Sequence, residues 1–401
     1  MRRGDFFAGS VLGAGVFRID ESRLAQVSFP EELKHRLASA FLIKAGENRG
    51  HKCAACLRLV DVNETVRQNH RAFTVWKRRS RKKAHFFSAG SGLVLLASAN
   101  VRAVSDLRVA TIVPVYNRST VILDALNSIA AQTVAPSCLI VVDDGSTDST
   151  AEVVQHWFDS QKLSCETRLI RQSNTGPAAA RNRGVAESGA NDLLAFLDSD
   201  DLWPMDFLQR AQQAMTTHPG AVAVSCDMLN TDDRGWSELQ SASDFQGSAT
   251  AQLLKGNPPG MPATVVRSTA FQRLGGFDSN LRFAEDYHFL LRLSLLGFWL
   301  YAPGAPLKRR MQCDSGEPAQ SKKFDDRALI RAQMIDRFIH QDGGASAVDE
   351  NLWRPRLAHL WHRAGRSLLK LQRRSEASDC FNRAVALNPL HLRARWRALT
   401  A

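Results

Sequence analysis

The chain of 401 residues has room for two or three domains at roughly 150 residues each. Hydrophobic residues make up 44% and charged residues 23%, ordinary proportions that exclude a wholly disordered chain, a collagen-like repeat and a polytopic membrane protein. The formal net charge of +12 is uneven: residues 1–108 hold 20 Lys/Arg against 9 Asp/Glu (+11), residues 109–350 hold 21 against 29 (−8), and residues 351–401 hold 11 against 2 (+9).

An acidic middle suits a metal-dependent site, and basic ends suit an anionic surface. Seven scattered cysteines do not make a disulfide framework and point to a reducing compartment. No segment reaches the ~18–20 apolar residues of a membrane helix. The nearest, Leu93 to Ala99 behind Phe86 and Phe87, is short and has Gly90 and Gly92 beside it. Arg2 and Arg3 are not followed by a clean apolar run and cleavage site, so no secretory signal is expected. The expected location is cytoplasmic, with peripheral contact to the anionic inner face of the membrane through the basic ends.

Residues 1–105 say least. Helical spacing occurs around Glu31 to Leu42, and a basic run extends from Lys77 to Lys83. That run reads as a solvated surface, with anionic lipid as the alternative and no specific nucleic acid expected. His51, Cys53, Cys56 and His70 have spacings a zinc site could use, but one Cys-x-x-Cys without a second pair reads as free thiols.

From Val109 the pattern changes. Val109 to Val113, ended by Pro114, is a buried β-branched strand. Ser119 is placed to cap a helix reaching about Gln132. Cys138 to Val142 is a second strand, ending in Asp143-Asp144-Gly145-Ser146, and Thr147 to Ser160 reads as helical. Thr167 to Ile170 is a third strand and Gly176 to Glu187 an alanine-rich helix. Leu193 to Leu197 is a fourth strand, closed by Asp198-Ser199-Asp200-Asp201. Pro204 suits the first turn of the next helix, and Ala221 to Cys226 is a fifth strand. Alternating strand and helix at this spacing predicts an α/β fold with a mostly parallel sheet and helices on both faces. Ligands then bind beyond the carboxyl ends of the strands, where two ends carry clustered aspartates.

Asp198-x-Asp200 puts two carboxylates on one turn, and a hard divalent ion, Mg²⁺ or Mn²⁺, would relieve their repulsion while keeping positions open for phosphates. The plain alternative is an Asp-rich turn capping the next helix. Asp143-Asp144-Gly145-Ser146 has the same alternative, although an aspartate there can accept from the imide N–H of a uracil. The stretch Gln172-x-Asn174-x-Gly176 through Arg181 and Gly184 lies at the third strand-to-helix crossing. Its glycine admits a nucleotide to the backbone, and Arg181 can reach base or pyrophosphate.

In order along the chain, these motifs resemble the family 2 glycosyltransferases of GT-A fold. The matching stretches are Ile112 to Asn117, Val141 to Asp148, Gln172 to Gly184, Phe196 to Trp203, Gly275-Gly276-Phe277-Asp278, and Glu285-Asp286-Tyr287 on to Arg292-Leu293. The resemblance covers about 107 to 310. It implies a nucleotide-diphospho-sugar donor, a divalent cation and inversion at the anomeric carbon.

Carried over by position, Pro114, Tyr116 and Asp144 line the nucleoside pocket with Arg181. Asp198 and Asp200 form the Asp-x-Asp element for ribose and metal, with Asp200 the closer ligand. Asp286 is the general base on the acceptor hydroxyl. Glu285 is the other carboxylate there, and neighbouring helix positions point to different faces. UDP is favoured over GDP or dTDP only by the pairing of Asp144 with Arg181. The acceptor class implied is a glycan or lipid-linked glycan.

Family members commonly carry a histidine after the acceptor helix. Here that region reads Lys308-Arg309-Arg310-Met311-Gln312-Cys313, leaving water or the Arg309–Arg310 pair on that side of the metal. Leu392 to Trp396 lacks the glutamine of the processive synthases' Gln-x-x-Arg-Trp motif, which argues for single-sugar transfer.

The expected layout is a basic extension over 1–105, a GT-A domain over 106–320 and a helical tail over 321–401. Within the tail, 358–391 fits the 34-residue tetratricopeptide pattern through Trp361, Ala364, Gly365, Leu368, Ala377, Phe381, Ala384 and Pro389. Three such repeats usually make a core, so this hairpin is expected to dock on the catalytic domain or on a protein partner. Two other readings compete. One is a catalytically silent scaffold using the tail and basic ends. The other, a nucleotidyltransferase, would start with a Gly-rich basic signature that Pro114-Val115-Tyr116-Asn117 is not.

Overall fold

In the computed structural model, two compact units divide the chain at Met1–Val104 and Ser105–Ala401. The structure describes residues 107–311, 326–390 and 393–395, together with four short strands in the first unit. Those strands form two antiparallel pairs, Val16–Arg18 with Cys56–Arg58 and Phe87–Ala89 with Leu93–Leu95. The helical spacing at 31–42, the basic run at 77–83 and the side chains of the Cys/His set lie outside the described residues.

The second unit is built on a seven-stranded sheet. Its first half follows the βα alternation of the sequence: β1 (Val109–Val115), α1 (Ile122–Ala130), β2 (Cys138–Asp143), α2 (Thr150–Ser160), β3 (Glu166–Arg171), α3 (Pro177–Glu187), β4 (Leu193–Phe196) and α4 (Phe207–Thr217). The second half adds β5 (Ala223–Ser225), β6 (Met228–Thr231), β7 (Ser237–Gln240), α5 (Thr250–Lys255), β8 (Thr264–Arg267), α6 (Ser268–Leu274), α7 (Glu285–Ser294), β9 (Trp299–Tyr301) and β10 (Leu307–Arg310). Strand order across the large sheet is β9-β5-β8-β4-β1-β2-β3. All neighbours are parallel except β8, which runs antiparallel to both β4 and β5. A smaller sheet, β7-β6-β10, flanks it.

β1 and β2 are buried along their whole length, as strands covered on both faces must be. Order reverses at β1, with β2 and β3 on one side and β4 on the other, so the crevice at their carboxyl ends is the switch point where ligands bind. Pro114 fits this position. Residue 112 faces β4, since Leu197 donates its N–H to the Ile112 carbonyl, and residue 114 faces the same way. β4 pairs with β1 only as far as Ile112 opposite Phe196, so the N–H that proline lacks falls beyond the last ladder bond.

Two local expectations fail. Ser119 does not cap α1: the helix starts at Ile122 with Val121 at its N-cap, and the Ser119 N–H instead donates to Asp148 at 3.2 Å. Pro204 stands ahead of α4 rather than in its first turn, its carbonyl accepting from the Phe207 N–H at 3.1 Å.

The C-terminal helices are α8 (Arg327–His340), a short α9 (Gly344–Ala347), α10 (Glu350–Lys370) and α11 (Arg374–Leu387). Trp361, Ala364, Leu368, Ala377, Phe381 and Ala384 are all buried. The close approach of α10 and α11 depends on Gly365, where a Cβ would stand 2.6 Å from the Phe381 ring. The hairpin packs onto the sheet-bearing body: its apolar residues join those of α7 in one core cluster, and Arg356 of α10 donates to the Leu254 carbonyl at 3.1 Å. Among the described residues, no helix is long and apolar enough to cross a membrane.

Candidate active site

Three loops close the carboxyl ends of β1, β2 and β3 into one scaffold. Asn117 adopts φ 50, a left-handed conformation that asparagine tolerates. Its N–H donates to the Ser146 hydroxyl at 3.0 Å, and its side-chain oxygen accepts from the Thr147 N–H at 2.9 Å. Asp143 is fully buried, accepting from the Ser146 N–H at 2.9 Å and from Arg171 Nε at 3.1 Å. Gly145, at φ 78, brings the turn so near the 172–174 backbone that a Cβ would lie 2.9 Å from the Asn174 nitrogen.

Asp144, 3% exposed, is the clasp of this scaffold. One oxygen accepts from Gln172 Nε2 at 2.8 Å and from the Thr175 N–H at 2.9 Å, and the other accepts from the Gly176 N–H at 2.7 Å. The expected pairing of Asp144 with Arg181 is not what forms. Asp144 holds the 172–176 loop, while Arg181 is committed elsewhere.

Arg181, on α3 and 5% exposed, donates from Nη2 to Asp198 at 2.8 Å and from Nη1 to Glu285 at 2.8 Å. Asp198 follows β4 and Glu285 opens α7, so one guanidinium joins two motifs far apart in sequence. Its ring contact is Phe277, at 5.5 Å. Burial pulls the Arg181 pKa down, but Asp198, Glu285 and Asp286 together hold it above its ordinary value. Burial, with the neighbouring Asp286 charge, pushes Glu285 up despite the arginine.

The turn after β4 carries a third carboxylate. Asp201 is 2% exposed and accepts from the Arg310 N–H at 3.2 Å. Burial first, then the charges of Asp198 and Asp200, raise its pKa well above the usual carboxylate range. Asp200 lies 3.7 Å from Arg118 Nε. β10 reaches the same turn through the bridge from Leu202 to Lys308, which explains how the basic 308–310 stretch meets the acidic one. Arg310 is taken by Asp124 at 2.6 Å, while Arg309 is among the charges acting on Asp201.

Asp198 and Asp200 remain partly accessible, at 34% and 26% side-chain exposure. Among the described residues, no group of three His, Cys, Asp or Glu side chains forms a ready-made metal cage. A Mg²⁺ or Mn²⁺ site that borrows diphosphate oxygens and water needs only one or two carboxylates, and this oxygen-only pair fits that donor set.

The opposite wall is the start of α7. Ala284 occupies its N-cap at φ 63, a left-handed alanine costing about 1–2 kcal/mol. That backbone sets Glu285 inward on Arg181 and leaves Asp286 half-exposed. The Asp286 carboxylate accepts only from the Tyr287 N–H, at 2.7 Å, among the hydrogen bonds of the described residues. Pro114 is buried and Tyr116 half-buried at the end of β1. Sequence reasoning missed Asp201 and Arg118 as neighbours of the pair, and gave Glu285 no part in holding Arg181. The adjacency of Asp201 to Asp200 was the available signal.

The sequence matches the family described as Glycosyl transferase family 2 over residues 110–273. An uncharacterized glycosyltransferase of Rickettsia felis is 30% identical over 181 residues, covering 45% of this chain and 29% of the relative. Another, of Haemophilus influenzae, is 32% identical over 188 residues, covering 45% and 60%. The chain thus spans well under two thirds of the first relative's length. In fold, it is similar to S. aureus TarS 1–349 in complex with UDP-GlcNAc, with a TM-score of 0.56 and 21% identity over 73% of this chain and 89% of that one. Residues 110–273 thus match the family 2 glycosyltransferase model, and the fold around them is similar to that of TarS.

Proposed function

We propose that the protein moves a single sugar from a nucleotide-diphospho-sugar, with UDP favoured by the fold likeness to TarS in complex with UDP-GlcNAc and not by an Asp144–Arg181 pair, to a hydroxyl of a glycan or lipid-linked glycan, with inversion. The observation that carries this reading is the Arg181 bridge: with 2.8 Å bonds to Asp198 and Glu285, it joins the turn after β4 to the helix that bears Asp286.

In this reading the nucleoside lies over Pro114 and Tyr116, in the crevice backed by the Asp144 clasp. Asp198 and Asp200 would hold a divalent cation, which would supply positive charge to the leaving diphosphate. Asp286 takes the proton from the acceptor hydroxyl as its oxygen attacks the anomeric carbon, and the bond to the diphosphate oxygen breaks on the opposite face. Asp286 suits this task better than Glu285, which is buried and already bonded to Arg181. TarS, the neighbour of like fold, is solved in complex with UDP-GlcNAc, and the donor class proposed here is the same.

A donor screen that reads released nucleoside diphosphate, in Mn²⁺ or Mg²⁺, tests this. One nucleotide-sugar should be turned over, and Asp286→Asn should lower the rate by about 10²–10⁴ with donor affinity kept. No release from any donor, and no heat with UDP, GDP or dTDP, would leave the silent scaffold as the better reading.

A further inference from the structure

The C-terminal helices bring an arginine with a buried, unpartnered Nε against the start of α7. Arg331, in the first half of α8, is half-buried. Its guanidinium lies 5.5 Å from the Phe283 ring centre and 5.9 Å from that of Tyr287. Those two residues flank the Ala284–Asp286 start of α7. Arg331 Nε is buried without a hydrogen-bond partner, and among the described residues no carboxylate forms an ion pair with this side chain. A buried N–H left without a partner is costly.

Two more arginines of α10 add to the same potential. Burial pulls the Arg331 pKa below its ordinary value. The like charges of Arg363 and Arg356 act in the same direction, with Tyr287 and Asp286 opposing them. Arg356 spends its Nε on the Leu254 carbonyl, and Arg363 is exposed. Arg331 lies over the ring of Tyr287, the residue directly after Asp286 in α7, and among the described residues the two charges form no ion pair. An arrangement that holds a carboxylate and a guanidinium near each other but apart suits a ligand carrying a hydroxyl for the first and an anion for the second. The planar fork of an arginine matches phosphate and carboxylate alike.

We propose that Arg331, supported by Arg356 and Arg363, binds an anionic group, phosphate or carboxylate, borne by the acceptor beside the hydroxyl that Asp286 deprotonates. This rests on the glycosyltransferase reading above and narrows its acceptor to an anionic glycan or polyol. Arg331 is a specificity-determining residue here, with no part in bond making.

The test is a titration of the full chain, saturated with UDP and Mn²⁺ so that the donor site is filled. The probes are sn-glycerol 3-phosphate against glycerol, and glucuronate against its methyl ester. At least one anion should bind about tenfold or more tighter than its neutral counterpart, and Arg331→Gln should erase that preference. Arg331→Lys should keep part of it, because a point charge replaces the fork. A response confined to the phosphate arm assigns a phosphate-bearing acceptor, and one confined to glucuronate assigns a uronate. Equal binding of charged and neutral probes, or an unchanged preference in Arg331→Gln, overturns the proposal. Heat with UDP certifies that each variant is folded. Its absence in the unaltered protein contradicts the glycosyltransferase reading instead. Should Arg331→Gln fail to fold, the exposed Arg363→Gln should still weaken the anion by about twofold to threefold, and no change there also overturns the proposal.

Discussion

The two walls of the cleft are held in opposite ways. On the donor wall, the residues after β1, β2 and β3 satisfy one another: Asp144 accepts from three separate groups of the 172–176 loop, and Asn117 ties the first turn to the second. On the opposite wall, a left-handed Ala284 aims α7, and among the described residues Asp286 keeps only a bond within its own helix and Arg331 has no hydrogen-bonding partner for its Nε. The contrast suggests a division of labour: a nucleotide pocket organised before the donor arrives, facing an acceptor pocket whose polar groups are completed by the ligand. Arg181 links them through Asp198 and Glu285, beside the paired bonds of Asn182 with the Phe277 backbone.

The largest effect should therefore come from cutting that link. Arg181→Ala leaves Glu285 buried and unpaired, and should cost about 3–5 kcal/mol of stability. Thermal unfolding, with transfer measured on whatever remains folded, checks this; an unchanged melting temperature would mean the walls are tied elsewhere. Next comes Asp200→Ala. It touches the donor wall alone, and should weaken Mn²⁺-dependent UDP binding by about a hundredfold while leaving the fold intact. Equal nucleotide affinity in the presence of Mn²⁺ would remove Asp200 from the metal site.

Behind the acceptor wall, Gly365→Val forces a branched side chain against Phe381, where even a Cβ would come within 2.6 Å of the ring. The expected loss is about 1–3 kcal/mol of stability, read by denaturant unfolding. A neutral result would show that α10 and α11 separate easily.

The smallest effect concerns His288 of α7. It is fully buried, and its Nε2 lies 2.8 Å from Asp342 beyond α8. Burial lowers its pKa below the ordinary imidazole value, partly offset by Asp342, with Arg292 and Arg337 adding to the lowering. The folded state thus resists protonation more than the unfolded chain does. This contribution is complete above about pH 6.5 and is lost as pH falls from there through the lower folded-state value. His288→Gln should flatten that slope of stability against pH; an identical slope in the variant would assign it to other groups.

The sequence carried the donor wall well because its signals are local. The Asp143–Ser146 turn and the Asp198–Asp201 turn each state both an element and its end, although β1 runs on through Pro114 to Val115. Even so, local reading misjudged Ser119, whose backbone is taken by Asp148 across the loop. Nor could local reading see that Arg181 turns to Asp198 and Glu285 rather than to Asp144. The antiparallel insertion of β8 between β4 and β5 was also out of reach, because a four-residue strand has too little periodicity to declare its direction. The acceptor wall is hardest to read. Asp286 stands in a recognisable stretch, but Arg331 sits in an ordinary amphipathic helix, and only packing over Phe283 and Tyr287 gives it a role.

The most direct measurement compares the unaltered protein with Asp286→Asn, titrating UDP in Mn²⁺ by calorimetry and following nucleoside diphosphate release from the identified donor in parallel. Separate walls predict UDP affinities that agree within about twofold while release falls by about a hundredfold or more. Loss of UDP binding in the folded Asp286→Asn protein to the same extent as its loss of turnover would contradict the division between them.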